Sequence, residues 1–146
     1  MSTAAIQYDV ITGGILGVIF HSAEDGITLV EGVLMIDPVK YSYLVGLYNV
    51  GDAYYLDLAT LLPILRPIQI ITLDKTTLIA DGVDTLTITG AVANSAINIL
   101  GKSSNNRAFG ETCSDPETFS TEIPDTYTLT ISCFPYLDFT ATIEAS

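Results

Sequence analysis

Apolar and polar residues alternate strictly over three segments in the second half of the chain. The segments 85–89, 127–133 and 139–144 place an apolar side chain at every second position, with threonine, serine or glutamate between. Successive side chains of a β-strand point to opposite faces of the sheet, so a period of two predicts strands with one buried face. We therefore predict three half-buried strands here.

The first third of the chain has a similar pattern with clear turn signals. Residues 6–10 alternate, residues 15–20 form an apolar run, and Thr12-Gly13-Gly14 lies between them. Glycine readily adopts the positive φ of tight turns, so the pattern predicts a β-hairpin. A further apolar run over 27–36 ends at Asp37-Pro38, because proline disfavours continuation of a strand.

A tyrosine-rich stretch follows, and it contains Tyr41, Tyr43, Tyr48, Tyr54 and Tyr55. We predict a hairpin that pairs 41–48 with 53–58. Aromatic side chains stabilise cross-strand pairs, so one interpretation of the tyrosines is core packing. Tyrosine also offers contact area with little loss of entropy, so a subunit interface is a second interpretation. Stacking on sugar rings is a third.

The boundary between two domains is predicted at Arg66-Pro67. Before it, residues 58–65 suggest a short helical turn that Pro63 limits, because proline interrupts a helix. After it, short strands separated by turn signals are typical of an antiparallel sandwich. They are predicted at 68–73, 85–89, 96–100, 118–125, 127–133 and 139–143.

The predicted fold is all-β and has two parts. Residues 1–66 form an N-terminal β-hairpin module, and residues 67–146 form an Ig-like antiparallel β-sandwich. Threonine, isoleucine and valine together make 44 of the 146 residues, and these β-branched side chains favour strands.

The charge balance excludes several classes of function. The chain has 17 acidic and 5 basic residues, a net charge of −12 and an apolar share of 49%. Five cations cannot supply the basic surface that nucleic-acid binding requires, and an anionic membrane would repel the chain. The apolar share is too high for a disordered protein. We expect no membrane insertion and no secretory signal, since the first basic residue is Lys40.

Candidate catalytic and metal-binding residues are few. His21 is the single histidine, and no Gly-x-Ser-x-Gly nucleophile motif accompanies it. The Asp81-Gly82-Val83-Asp84 segment contains carboxylates, but it lacks the ligand spacing of a calcium-binding loop and is typical of a turn. We expect no catalytic residues, no metal and no cofactor.

The sequence allows the two cysteines, Cys113 and Cys133, to be either disulfide-bonded or reduced. A disulfide between them would close a loop of about 20 residues and contribute roughly 3 kcal/mol in the chain-entropy model. A reduced pair is the alternative, because proteins assembled in a reducing cytoplasm seldom form disulfides.

Several segments carry a resemblance to known families. The sequence LDKTTLIADGVDTLTITG over 73–90 resembles the opening of bacterial Ig-like domains of the invasin and intimin type. The segments 127–131 and 134–138 resemble the closing strands of such modules in tailed-phage proteins. Tyr8-Asp9, together with Thr12-Gly13, is similar to short proteins of the phage tail region.

This resemblance implies a non-enzymatic structural protein of a bacteriophage particle, in the tail, baseplate or fibres. It implies that the protein is assembled in the host cytoplasm, contacts other virion proteins and occurs in many copies or as a homo-oligomer. A decoration protein of the phage head and a host-adsorption module that binds surface glycans are the alternatives. A glycan-cleaving tail component is the competing enzyme class.

Overall fold

The computed structural model describes residues 3–21, 32–36, 40–41, 44, 50–110 and 112–146. Within these ranges the regular structure consists of thirteen β-strands and one four-residue helix, so the predicted all-β class is confirmed. The chain divides into two compact units, Met1–Arg66 and Pro67–Ser146. No helix in the described ranges has the length and apolar character that a membrane span requires.

The elements of the first unit are short strands and one helical turn. They are β1 (Thr3–Tyr8), β2 (Ile15–His21), β3 (Val33–Ile36), α1 (Val50–Ala53), β4 (Tyr54–Asp57) and β5 (Leu62–Leu65). The predicted first hairpin is confirmed, since β1 pairs antiparallel with β2. β3 pairs with the other edge of β1, which gives a three-stranded sheet in the order β2-β1-β3.

The core of the first unit forms where this sheet meets the helical turn and β4. Ile6, Leu44 and Leu56 are almost fully buried there, and Ile15 and Val50 join them. Gly13 allows the β1–β2 turn to approach β4, because a Cβ at this position would lie 2.0 Å from the carbonyl oxygen of Leu56. Its own carbonyl accepts the amide of Leu56 at 2.7 Å.

The second hairpin of this unit differs from the prediction. β4 pairs antiparallel with β5, so Leu62–Leu65 form a strand where a helical turn was predicted over 58–65. The predicted pairing of 53–58 with 41–48 falls mostly outside the described residues. The helical prediction was wrong because it treated Pro63 as the limit of a helix. The amide of Arg66 donates to the carbonyl of Ala53, so alternate residues of β5 bond to β4 and Pro63 falls at a position facing away. Its missing N–H therefore removes no bond from the pair.

The second unit contains the remaining eight strands. They are β6 (Thr72–Leu73), β7 (Thr77–Leu78), β8 (Leu86–Thr89), β9 (Ala96–Gly101), β10 (Arg107–Gly110), β11 (Glu117–Phe119), β12 (Asp125–Ser132) and β13 (Phe139–Ala145). One sheet has the order β10-β9-β12-β13-β7 and the other has the order β11-β8-β6. β7 pairs parallel with β13, and every other pairing of these strands within the described residues is antiparallel.

The alternating segments of the second unit occupy the predicted strands and bury the predicted faces. Leu86 and Ile88 of β8 are buried, and so are Tyr127, Leu129 and Ile131 of β12. Side chains from both sheets form one core cluster, since Phe119 of β11 and Ile99 of β9 belong to it. The alternating apolar residues of these segments therefore form a core to which both sheets contribute.

Other strands of this unit begin or end at residues that differ from the predicted ones. The strand predicted over 68–73 is confined to Thr72–Leu73, with a single bridge from Ile68 to Leu137 before it. β10 was not predicted from the sequence. The segment 118–125 was predicted as a weak strand followed by a turn around Pro124, and β11 covers Glu117–Phe119. Cys133 follows the end of β12 and is half-buried, whereas the alternation predicted it on the buried face.

Candidate interaction surface

The described tyrosines of the predicted interface divide between the core and the surface. Tyr41 and Tyr54 are half-buried and pack against the core of the first unit. The ammonium group of Lys40 lies 5.3 Å from the centre of the Tyr41 ring, which is a cation–π contact. Tyr55 is half-buried on the other face of β4, and its backbone forms a bridge with Gly14. Tyr43 and Tyr48 lie outside the described residues.

The β4–β5 hairpin has one face toward the core and one away from it. Residues directly opposite each other share a face, and the face alternates along the strands. Tyr54 and Leu56 face the core, so the rungs Tyr55–Ile64 and Asp57–Leu62 face the other way. Arg66 follows β5, and its Nη1 donates to the carbonyl of Gly51 in the helical turn at 3.3 Å. We call Tyr55, Asp57, Leu62 and Ile64 the hairpin outer face.

This outer face is more apolar than a solvent-facing strand pair requires. Leu62 is 45% exposed and Ile64 is 40% exposed. A hairpin that packs on a core buries one face and exposes the other to solvent. The exposed face is therefore expected to carry polar residues. The apolar residues here therefore lack a burying surface within the described chain, and such patches often mark contact sites.

The turn of this hairpin carries further exposed apolar residues. Leu58 and Leu61 are 39% and 43% exposed, and Ile11 of the nearby β1–β2 turn is 85% exposed. Leu61 adopts a φ of 55°, which glycine or asparagine normally supplies. A leucine in the left-handed region costs about 1–2 kcal/mol, so neither local geometry nor burial explains this residue.

The two turns are held in shape by aspartates. Asp9 Oδ1 accepts the amides of Ile11 and Thr12, each at 2.8 Å. Asp57 accepts the amide of Ala59 and the hydroxyl of Thr60, each at 2.9 Å. Backbone hydrogen bonds lower the pKa of both carboxyl groups, with the Thr12 and Ala59 amides as the largest causes respectively. Both groups are therefore charged at neutral pH.

An open groove of about 390 Å³ lies at the end of β1. Its lining includes Tyr8, Val10, Leu16 and Val33, with Asp9 at one side. The Asp9 carboxylate already accepts two backbone amides of its own turn. The groove is lined by both polar and apolar residues, and its lining contains no convergent set of catalytic groups among the described residues.

Aspartates in the second unit also serve as caps for loops. Asp81 accepts the amides of Val83 and Asp84, and the amide of Asp84 is the largest cause of its lowered pKa. Asp84 forms an ion pair with Lys75, and this hydrogen bond is the largest cause of its own lowered pKa. The segment proposed as a calcium candidate is therefore a self-bonded turn. The described residues contain no group of three side chains that could hold a metal ion.

Asp125 accepts several hydrogen bonds from the loop between β9 and β10. It accepts the amides of Ser103 and Ser104 and the Ser104 hydroxyl, the last at 2.6 Å. These bonds, led by the Ser104 hydroxyl, lower its pKa from 3.8 to about 2. Asp125 therefore ties the β9–β10 loop to the start of β12.

The two cysteines are free thiols in the structure, so the disulfide left open by the sequence is not formed in it. Cys113 is buried, and its Sγ donates to the carbonyl of Ser114 at 3.3 Å. Burial raises the pKa of this thiol, and the carboxylates of Glu117 and Asp115 raise it further. Cys113 is therefore protonated at neutral pH and unsuited to act as a nucleophile. The side chain of His21, the catalytic candidate of the sequence, is not among the described side chains.

The tyrosine-rich stretch predicted an interface that includes Tyr54 and Tyr55 of this hairpin. It did not predict that Leu62 and Ile64 are part of the same surface. Their exposure depends on which strand pairs with β4 and in which register, and the sequence alone did not provide that pairing. An available signal was the run Leu61-Leu62-Pro63-Ile64-Leu65, which has four apolar residues and no polar one on either face.

Function must be inferred from the geometry and chemistry of the chain itself. Comparison with models of protein families, with curated proteins and with solved structures finds no match to this chain.

Proposed function

We propose that this chain is a non-enzymatic structural protein of a bacteriophage particle, associated with the tail, baseplate or fibres. The N-terminal unit docks onto other virion proteins, and the C-terminal unit is an Ig-like domain displayed to solvent. The observation that carries the docking role is the exposed apolar surface of the β4–β5 hairpin, where Leu62 and Ile64 have no burying surface in the described chain.

The strand order of the second unit supports the Ig-like assignment. An Ig sandwich of the constant type places its first, second, fourth and fifth strands in one sheet and its third, sixth and seventh strands in the other. Here β6, β8 and β11 form one sheet, and β9, β12 and β13 are neighbours in the other. β10 extends the second sheet beside β9, as an additional strand does in variable-type domains. β7 continues the first strand into the second sheet.

A buried tyrosine at the start of β12 gives independent support. The hydroxyl of Tyr127 donates to the carbonyl of Ile123, four residues upstream, at 2.9 Å. Its ring is fully buried and meets Phe119 edge-on, with 5.4 Å between ring centres. A tyrosine that bonds back to the backbone at this corner of the sixth strand is a hallmark of Ig-like sandwiches.

The chemistry of the described residues favours an assembly role over catalysis. The five aspartates with lowered pKa are ionised caps of turns, whereas a general acid needs a raised pKa. A negative surface also maintains the solubility of an exposed domain that is present in many copies.

The decisive experiment is to locate the chain in purified particles by cryo-electron microscopy, with mass spectrometry to establish its presence. Density for an Ig-like domain at the tail, baseplate or fibres supports the proposal. Density on the capsid lattice favours the head-decoration alternative. Absence from particles, or glycan hydrolysis that is abolished by replacing one Asp or Glu, overturns it.

A further inference from the structure

We infer that the second unit carries tension applied between its two ends, because its first and last segments are bonded side by side in parallel. We call 67–80 the first segment and 137–146 the last segment. This load-bearing role deepens the proposed structural function, on which its biological meaning rests. It follows from the direction of the two segments, the hydrogen bonds at both ends of their contact, and a buried amide in the first segment.

The two segments run in the same direction along the sandwich. Ile68 forms a parallel bridge with Leu137, and β7 pairs parallel with β13 further along. Residues 67 and 146 therefore lie at opposite ends of this pair of segments. A load that pulls these two residues apart slides the segments along each other, so the bonds that join them are loaded together.

Three backbone hydrogen bonds join the segments at the end that carries residue 146, and we call them the exit contact. The amide of Glu144 donates to the carbonyl of Thr76 at 2.9 Å. The amide of Ser146 donates to the carbonyl of Leu78 at 3.0 Å, and the carbonyl of Ser146 accepts the amide of Ala80 at 2.9 Å. A sliding load must break these bonds together, whereas a load that separates the segments from one end breaks them in turn.

Residues 67–69 bond to the rest of the unit at the other end, and we call these bonds the entry contact. The amide of Leu137 donates to the carbonyl of Pro67 at 2.7 Å. The Nε2 group of Gln69 donates to the carbonyls of Ile131 at 3.0 Å and Leu137 at 3.4 Å. Sliding of the first segment would leave these buried groups without partners, which is costly, so Gln69 anchors the segment.

The burial of Gln69 reverses the usual pattern of a strand in a sandwich. Gln69 is 8% exposed, whereas its neighbours Ile68 and Ile70 are 68% and 82% exposed. An antiparallel sandwich normally turns the apolar side chains of a strand toward the core and the polar ones away from it. The segment instead buries a side chain that forms hydrogen bonds, as expected of an anchor rather than of core packing.

Between its two contacts with the last segment, the first segment is also bonded to the other sheet. Thr72 and Leu73 of β6 pair antiparallel with β8. Because β8 belongs to the second sheet of the sandwich, a load that enters at residue 67 is shared by both sheets.

The test is single-molecule force spectroscopy on the full chain with two attachment geometries. Azide-bearing residues at Ile68 and Ser146 load the segments in shear, whereas azide-bearing residues at Ile68 and Asp138 peel them apart from the entry contact. All three side chains are exposed. Azide coupling also leaves the free thiols of Cys113 and Cys133 unused as attachment points.

Shear should open the unit much more slowly than peeling at the same force. The three bonds of the exit contact break together in shear, and the bonds break one at a time in peeling. Each further bond that must break slows opening by about five-fold, so two further bonds give roughly 30-fold slower opening in the shear geometry. This comparison needs no destabilising substitution, since both attachments are made to exposed side chains.

A proline variant tests the exit contact separately. Ala80→Pro removes one donor of this contact and should speed opening in shear by about five-fold. It should leave the start of peeling unchanged, because peeling begins at the entry contact. Ala93→Pro is the matched control, since Ala93 is exposed and precedes Asn94, whose φ of 66° is typical of a turn that accepts proline one position earlier. The ¹H–¹⁵N spectrum of each variant establishes folding.

Equal opening rates in the two geometries, or faster opening in shear, overturn the load-bearing role. A folded Ala80→Pro variant that opens in shear at the wild-type rate overturns it as well. Neither result affects the location of the chain in particles, which the microscopy measures separately.

Discussion

At the scale of single residues, Asp125 shows how a carboxylate can fix a loop that has little apolar content. Its folded pKa of about 2 lies below its ordinary 3.8, so ionised Asp125 stabilises the fold above pH 3.8. That contribution should be lost as the pH falls from about 4 to about 2. We predict that Asp125→Asn reduces the free energy of unfolding at pH 6 and reduces its decline between pH 4 and pH 2.

The measurement is urea unfolding of wild type and variant at several pH values, and Asp138→Asn serves as control. Asp138 is exposed, so its replacement removes the same charge without removing the bonds to the Ser103–Ser104 loop. An equal change in pH dependence for both variants would contradict the role of Asp125.

Tyr127 is central to the core of the second unit, and it also supports the proposed Ig-like fold. Its hydroxyl lies 2.9 Å from the Ile123 carbonyl and 2.9 Å from Thr121 Oγ1, in a buried site. Tyr127→Phe keeps the ring but removes these bonds, so we predict a loss of about 1–3 kcal/mol in stability. Thr128→Val on the exposed face of the same strand should change stability by less than about 0.5 kcal/mol. Denaturant unfolding of both variants measures this difference, and similar losses would argue against a special role for the hydroxyl.

At the scale of elements, the β1–β2 turn and β4 depend on one glycine. A Cβ on Gly13 would overlap the carbonyl oxygen of Leu56, and its φ of 78° disfavours any other residue. We predict that Gly13→Ala separates the turn from β4 and destabilises the first unit by more than about 1 kcal/mol. Gly17→Ala is the matched control, because a Cβ there meets nothing within 4 Å.

Amide hydrogen exchange of Leu56 tests this prediction directly, since that amide donates to the Gly13 carbonyl. Faster exchange at Leu56 is expected in Gly13→Ala and not in Gly17→Ala. Unchanged protection in both variants would show that the close approach of turn and strand is not required.

Strict alternation predicted the strands that form the core of the second unit, whereas pairing partners were not predictable. β8, β12 and β13 each bury the expected face because burial of alternate residues is a local property of the sequence. β5 was missed because its four residues include a proline and lack alternation, and only its pairing with β4 makes it a strand.

The candidate surface was predictable in part for the same reason. The tyrosine cluster predicted that Tyr54 and Tyr55 belong to an interface. Adjacent residues on a strand face opposite sides of the sheet, so both side chains cannot lie on the same surface. Tyr54 packs on the core while Tyr55 joins the hairpin outer face. The face therefore follows from strand register, which no short sequence motif specifies.

At the scale of the whole molecule, acidic charge is spread nearly evenly over the two units. The first 66 residues have seven acidic and two basic residues, and the remaining 80 have ten acidic and three basic residues. The second unit combines this acidic surface with the larger core cluster, which includes thirteen buried residues. It therefore has the composition of a domain that remains soluble and folded on its own, whereas the first unit has an unburied hairpin face.

We predict that residues 67–146 fold as an isolated fragment with the backbone amide spectrum that they show in the full chain. Both ends of this unit are bonded within it. The carbonyl of Pro67 accepts the amide of Leu137 at 2.7 Å, and the amide of Ser146 donates to the carbonyl of Leu78 at 3.0 Å. A fragment that begins at residue 77 should be less stable, because it lacks β6 and the bond from Leu137 to Pro67. Amide spectra and urea unfolding of the two fragments and the full chain test this, and a collapsed spectrum for 67–146 would show that this unit needs the first to fold.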